Sequence, residues 1–521
     1  MTRSFVQEIL NGNTTEQALM SMDFEGKSER ITEFDGFVDT IRDISQRIDD
    51  SEEIESLLDG LAGGYVDAGP SGYITRGRYD IMPTGRNFYS MDSYSVPSRT
   101  AWRVGCRMAE EVIGKYMGDE GEMPESIGFF WTMGELISTG GELMSQIMHL
   151  MGAVPVWGTD GRIKSFEITP LEELGRPRID VTLNISCILR DYMRNSIDYM
   201  DKVIETVAGL DELPDMNYVR KHTLESMADG MTEDEANTRM FGAPPGTYTS
   251  GVNLAVFASA WREDKDLADV FVKTKGHGYG GNRNGVPMFK QFAKVLSRTD
   301  AACDVSASDE TDVLSCSCHF SNIGGMISAS RYLSGKDVKA YFEDTRDPRD
   351  LGVGILADEM RRVMRIRTLN PEWIDAMKEH GYKGANDIAK RVTRLFGWQS
   401  TTHEVDDTLF NQVVDAFLRD ESMAKFFKEN NPYALEEMTR RLLEANSRGL
   451  WKTDEGTLDD LKKAYLDIES LLEDLAGEGE FQGGSVDIFD SKDVLSWNEH
   501  MRNVADITKK VRESKQKVNR Q

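Results

Sequence analysis

Cysteine is scarce in this chain, five in 521 residues. That odd, sparse count excludes a disulfide framework of the kind that staples small secreted domains. Long apolar runs are missing too: none approaches the roughly 20 residues that cross a bilayer. The opening MTRSFVQEILNGNTTEQAL has no uninterrupted apolar segment of a secretion signal. Cations are outnumbered, 61 Lys and Arg against 89 Asp and Glu, giving a net charge of −28. A surface of that sign repels phosphates, so nucleic acid is not an expected partner, although such charge also simply keeps a surface solvated. The strings HExxH, GxSxG and a paired CxxC are absent. Gly26-Lys27-Ser28 ends like a phosphate-binding loop, but Ser21 stands where the first glycine is needed. ATP hydrolysis is therefore not expected of this chain. These absences together predict a cytoplasmic protein with no membrane span.

What is present suffices for globular packing, with 39% hydrophobic residues in a length that predicts two to four domains. The predicted class is α/β, with mixed α/β layers in the first two thirds and a mostly helical C-terminal region. Residues 1–60 read as helical, with Phe34, Phe37, Ile41 and Ile44 at helical spacing. Residues 61–210 read as an α/β domain opened by the Gly/Pro-rich GGYVDAGPSGYITRGRYDIMPTGRN, an ordered loop with short extended pieces. There, Ile127–Met133, AVPVWG, RIKSFEI and RIDVTLNIS alternate with helical stretches, which implies partly parallel strands. Residues 211–345 are mixed, and 346–476 helical. Asn370-Pro371 marks a helix start, and a stripe from Leu458 to Leu472 lies behind a Thr457/Asp460 cap. Residues 477–521 read as a linker and a basic helical tail that frays into solvent or docks on an acidic partner.

Two strings invite chemistry. Gly276, Gly278 and Gly281 match GxGxxG, but no strongly apolar strand precedes them, so they read as a turn-rich loop. The stretch DETDVLSCSCHF (309–320) gathers Glu310 and Asp312, hard donors that also accept protons, with Cys316, Cys318 and His319, softer donors for zinc or another transition metal. Three soft donors this close make a poor structural zinc site. The alternative is a strand with small thiols on one face.

Several longer segments occur in one order: PTGRNFYSMD (83–92), PLEELGRPRIDVTLNIS (170–186) followed by Arg190-Asp191, MNYVRKH (216–222), SGVNLAV (250–256), LNPEWIDAMKEHGYKGANDIAKRV (369–392) and NPYALEEMTRRLLEANSRGLW (431–451). In this order, from about residue 30 to about 475, the chain resembles the large subunit of ATP-dependent tetrapyrrole metal chelatases. That family comprises the magnesium chelatase H subunit and the large cobaltochelatase subunit. MNYVRKH and SGVNLAV lean towards the magnesium branch. Gly324-Gly325-Met326 leans towards the cobalt branch, where an acidic run stands in place of SCSC at 315–318. The resembling region is only the C-terminal part of a larger subunit, which predicts either a split subunit or a C-terminal fragment.

The resemblance implies a subunit that holds a tetrapyrrole and inserts Mg²⁺ or Co²⁺ as substrate metal, while two AAA+ motor subunits bind and spend the ATP. A separate chain carrying the N-terminal half is a further implied partner. The reaction needs a grip on the ring, a base for two pyrrole N–H protons, and ligands that dehydrate the cation. Arg86, Arg176, Arg178 and Arg190 are candidates for the ring's peripheral carboxylates, or else for internal ion pairs such as Arg190 with Asp180 or Asp191. Asn87, Phe88, Tyr89 and Trp398 are candidates for ring contact, the aromatics equally for core. Glu310 and His380 are the candidate proton acceptors, with a capping role open to His380. Glu310, Asp312, Cys316, Cys318 and His319 are the candidate metal route. The alternative function is a tetrapyrrole carrier that inserts no metal.

Overall fold

The computed structural model describes residues 2–22, 31–70, 74, 79–88, 91–476 and 495–518. They divide into two units, residues 1–92 and 93–521. The first carries helices Thr2–Leu10, Thr15–Met20, Ile31–Asp49 and Glu53–Leu61, with a short parallel pair, β1 (Ala68–Gly69) and β2 (Asn87–Phe88). Its core is small: Phe5, Ile9, Leu19 and Val38 are buried, with Phe34 and Ile41 packed against them. Phe37, on the same predicted stripe, stays 60% exposed. Gly85 has φ +81° with its α-carbon against the Glu52 backbone, where a side chain would collide, so PTGRN needs its glycine.

In the second unit lie β3 (Ser126–Trp131), β4 (Ala153–Trp157), β5 (Ile163–Ile168), β6 (Asp180–Ile185), β7 (Met240–Gly242), β8 (His277–Gly280), β9 (Arg283–Pro287), β10 (Ala301–Ser306), β11 (Lys339–Asp344) and β12 (Gly352–Ile355). Eight of them make one sheet in the order β12-β11-β10-β3-β6-β7-β8-β9, while β4 and β5 pair separately. The five from β11 to β7 run parallel; β12, β8 and β9 join antiparallel to their neighbours. The expected α/β class holds, but the sheet draws strands from both sides of 210/211 and runs past 345 to β12. Parallel pairing joins strands distant in sequence, so changes of local composition do not mark its limits. GHGYGGNRNG is not a loop: it forms the β8–β9 hairpin, turning at Gly280 (φ +117°) and Gly281 (φ +50°).

Strand register explains how the layers approach. Thr182, Gly128, Ala302 and Ala340 align across β6, β3, β10 and β11. This row of small side chains lets helix Gly325–Ser334 lie close; a Cβ on Gly128 would meet Met326. The alternate row, Leu183, Phe129, Cys303 and Tyr341, faces the other way. On that side Gln146, from helix Glu142–Met151, reaches Glu343 of β11. Gly324 and Gly325 serve contact as well: Cβ atoms there would strike Thr401 and Phe271.

The C-terminal region is helical as expected. Asn370 caps Pro371–Glu379 by accepting from the Glu372 N–H at 3.0 Å. The next predicted cap is corrected. Helix Glu455–Ala476 starts behind Asp454, which accepts from the Thr457 N–H and hydroxyl, while Asp460 pairs with Arg419. The predicted linker AGEGEFQGGS lies mostly outside the described residues. The basic tail is not frayed. Residues 495–518 form a helix whose Met501, Val504 and Val511 enter the core, against helices Asp264–Lys275, Phe289–Leu296 and Gly325–Ser334. Among the described residues no helix is long and apolar enough to cross a membrane.

Candidate active site at the carboxyl edge of the sheet

The chain builds from β3 outwards through β6 and β7, then returns to the other side of β3 with β10 and β11. That reversal makes a topological switch point between β3 and β10, and open α/β sheets bind ligands beyond the carboxyl ends of the strands at such points. DETDVLSCSCHF is the segment that leaves β10 at this point.

Arginines from the helical region pin this segment. Asp309 accepts from Arg346 at 2.7 Å and Arg362 at 2.6 Å. Asp312 is buried; Arg391 donates to its two oxygens at 3.1 and 3.0 Å, and Arg367 to one at 2.9 Å. Arg394 Nη1 and Trp398 Nε1 donate to the carbonyls of Leu314 and Val313, each at 2.9 Å. Glu310, between the anchored aspartates, is exposed. His319 lies beside Asp304 of β10, with Nδ1 3.1 Å from a carboxylate oxygen. Burial works against a charged ring there, but Asp304 outweighs it and raises the His319 pKa.

Two further carboxyl groups at this edge hold protons into the neutral range. Glu343 is fully buried and accepts from Gln146 at 2.8 Å; burial pushes its pKa up to about 7. Glu359, beside Arg362 and Arg346, is pushed by burial up to about 8, with Asp344 and Asp309 adding repulsion and Arg346 opposing. Carboxyl groups poised near neutrality are suited to proton transfer.

The five residues of the expected metal route do not form one site. Asp312 serves the arginine clamp, Cys316 and Cys318 are joined sulfur to sulfur, and His319 turns to Asp304. Among the described residues no three of His, Cys, Asp or Glu converge to hold a cation. This segment also corrects the expectation of a strand: Cys316 caps the short helix Ser317–His319.

Three of the four expected ring arginines are turned inward, and Arg86 is exposed. Arg176 donates to the carbonyls of His149 and Leu150 at 2.8 and 2.9 Å and pairs with Glu110. Arg178 grips Glu212 at 2.7 and 2.8 Å. Arg190 pairs with Asp191 at 2.6 Å and donates to the Ala243 and Pro244 carbonyls. All three are buried, so they build the fold and present no free fork to a ligand. Trp398 is core, with no exposure. His380 is exposed where helix Pro371–Glu379 meets helix Gly381–Thr402. In the first unit Arg86 donates to the Pro83 carbonyl at 3.0 Å and Asn87 to that of Val66 at 3.1 Å. The Phe88 side chain and all of Tyr89 lie outside the described residues.

Known proteins share this architecture. The family model described as CobN/Magnesium Chelatase matches residues 1–458. The chain belongs to the CobN/magnesium chelatase family. An uncharacterised protein of Methanocaldococcus jannaschii is 48% identical over 86% of this chain and 37% of its own length. The aerobic cobaltochelatase subunit CobN of Pseudomonas aeruginosa is 36% identical over 80% of this chain and 34% of its own length. The magnesium-chelatase H subunit of Chlorobaculum parvum is 33% identical, covering 82% and 34%. The solved catalytic subunit of cobaltochelatase from Mycobacterium tuberculosis superposes with a TM-score of 0.84 at 33% identity, covering 90% of this chain and 40% of that one. The chain thus spans little more than a third of the length of the curated relatives it matches.

Sequence reasoning missed much of the site in this family member. Asp304, Glu343, Glu359 and the arginines at 346, 362, 367 and 391 carried no motif of their own. The dense MRRVMRIRTLNP (360–371) was the available signal, four arginines ahead of a helix start.

Proposed function

We propose that this chain is the tetrapyrrole-holding portion of a metal chelatase large subunit, which inserts Mg²⁺ or Co²⁺ into a porphyrin or corrin-type ring while AAA+ partner subunits spend ATP. The observation that carries this reading is the 309–319 loop. Arginines fix it at Asp309 and Asp312, yet it presents Glu310 to solvent at the carboxyl edge of the sheet.

A base held rigidly beside a bound ring removes pyrrole protons with little reorganisation. Glu310 is that base, and His319 of the same loop is held by Asp304 at 3.1 Å. His380 is the second proton acceptor to test. In the experiment, the purified chain is titrated with a porphyrin and a corrin precursor. It is then assayed with the motor subunits, ATP and Mg²⁺ or Co²⁺, with the remaining portion of the large subunit supplied. Glu310→Gln leaves ring binding unchanged and slows insertion by about 10²-fold or more, the scale of general acid–base catalysis. Unchanged insertion removes Glu310 from the mechanism. A carrier that binds the ring without inserting metal is the second reading. Binding without insertion in the complete mixture selects it.

A further inference from the structure

Three of the four arginines that sequence offered for the ring's carboxylates, Arg176, Arg178 and Arg190, are consumed inside the fold, and the second unit holds a cavity of about 840 Å³. It opens between helix Leu356–Val363 with the wide π-type turn Met364–Thr368, and helix Asp407–Val414 with the similar turn Asp415–Arg419. Single π-type turns inside helices occur disproportionately at functional sites. Two face each other here.

Its charges nearly cancel. Asp358 pairs with Arg361, which also holds Asp406; Arg362 pairs with Glu359 and Asp309; Asp415 is held by Arg419 at 2.7 Å. Arg365 is left over, exposed on the π-type turn with no ion pair to any described residue. Leu369, Leu409 and Ala416 supply apolar wall. An apolar body carrying a carboxylate satisfies both features, because an arginine fork binds carboxylates strongly while the wall takes the hydrocarbon. The volume falls in the range of small-molecule sites, about 300–1,000 Å³. Arg362 joins this cavity to the candidate site, since the same guanidinium holds Asp309, next to Glu310.

We propose that this cavity seats one edge of the tetrapyrrole and that Arg365 binds a peripheral carboxylate there, making Arg365 a substrate-binding and specificity-determining residue. The inference rests on the proposed function above. It is tested by fluorescence titration of the full chain with a porphyrin dicarboxylic acid and with its dimethyl ester. The chain binds the free acid more tightly than the ester. Arg365→Gln weakens the free acid by about 10- to 100-fold, the loss expected for one charge-assisted hydrogen bond, and leaves the ester unchanged. Arg365→Lys retains part of the preference, and Arg349→Gln, at an exposed arginine paired with Asp347, retains all of it. Because Arg365 is exposed, its substitution does not threaten the fold, which a matching thermal transition checks. Free-acid binding that Arg365→Gln does not alter overturns the assignment and leaves the proposed function standing. Failure of the wild-type chain to bind either form overturns both.

Discussion

The two edges of the parallel sheet treat the same kind of residue in opposite ways. At the amino edge, Asp180 lies between Arg239 at 2.8 Å and His222 at 2.7 Å, and Glu125 takes His222 at 3.1 Å and Lys221 at 2.7 Å. Burial opposes the charge on Asp180, but Arg239 and His222 hold its pKa near 2. The His222 hydrogen bond, against burial, brings Glu125 to about 2 as well. Asp300 completes that edge by accepting from the Glu125 N–H at 2.8 Å and pairing with Lys336. At the carboxyl edge burial prevails, taking Glu343 to about 7 and Glu359 to about 8. Four acids at the two ends of the sheet thus split into two held ionised and two able to exchange protons. The amino edge keeps the strands in place; the carboxyl edge keeps reactive groups available.

The largest test of this contrast removes a counter-ion at the amino edge. Arg239→Met strands the Asp180 charge in the interior and costs about 3–5 kcal/mol in urea unfolding. A loss below about 1 kcal/mol would mean that the edge is not held by this pair. Next comes pH. Glu343 has a folded pKa of about 7 against its ordinary value of 4.5, so the folded chain binds the extra proton between these values. Its contribution is intact below pH 4.5 and declines as pH rises towards 7. Glu343→Gln therefore stabilises the protein at pH 8, by up to about 3 kcal/mol, and has little effect through this linkage at pH 4. Equal thermal shifts at both pH values would refute the split. Asp180, lowered instead, gives stability that is lost only as pH falls below 3.8 and through about 2, and Glu125 likewise below 4.5, so the amino edge is flat from pH 5 to 8. The smallest effect lies away from both edges: Asn370→Ala loses about 1 kcal/mol of helix capping, with no pH dependence between 5 and 8.

What could be read in advance follows from where the information resides. β3 and β6 carry SIGFFW and DVTLNI, both buried along almost their whole length; the apolar run of β3 and the alternation of Val181, Leu183 and Ile185 in β6 declare strands. β8 and β9 are glycine-rich; their place in the sheet comes from backbone hydrogen bonds to β7 and each other, which side-chain patterns do not encode. The site was legible as a segment, 309–320, but not in its partners. Asp312 and Arg391 are 79 residues apart, and no spacing rule joins them. Arg178 looked available because its acceptor Glu212 becomes a neighbour only on folding, whereas the pair Arg190–Asp191 was legible as adjacent residues and only the Ala243 and Pro244 carbonyls were not. Arg365 was hidden among the four arginines of residues 360–371; only the structure distinguishes it, by giving the others partners.

The helix at 495–518 has a consequence for how the polypeptide is made. It covers helices that end at residue 334, and Thr508 reaches back to Asp269, so its docking face is synthesised long before its cover. At typical elongation rates the intervening stretch of about 160 residues takes on the order of ten to thirty seconds to emerge. Throughout that interval an apolar patch on the nascent chain stays open to chaperones, or to the same patch on a neighbouring ribosome's product.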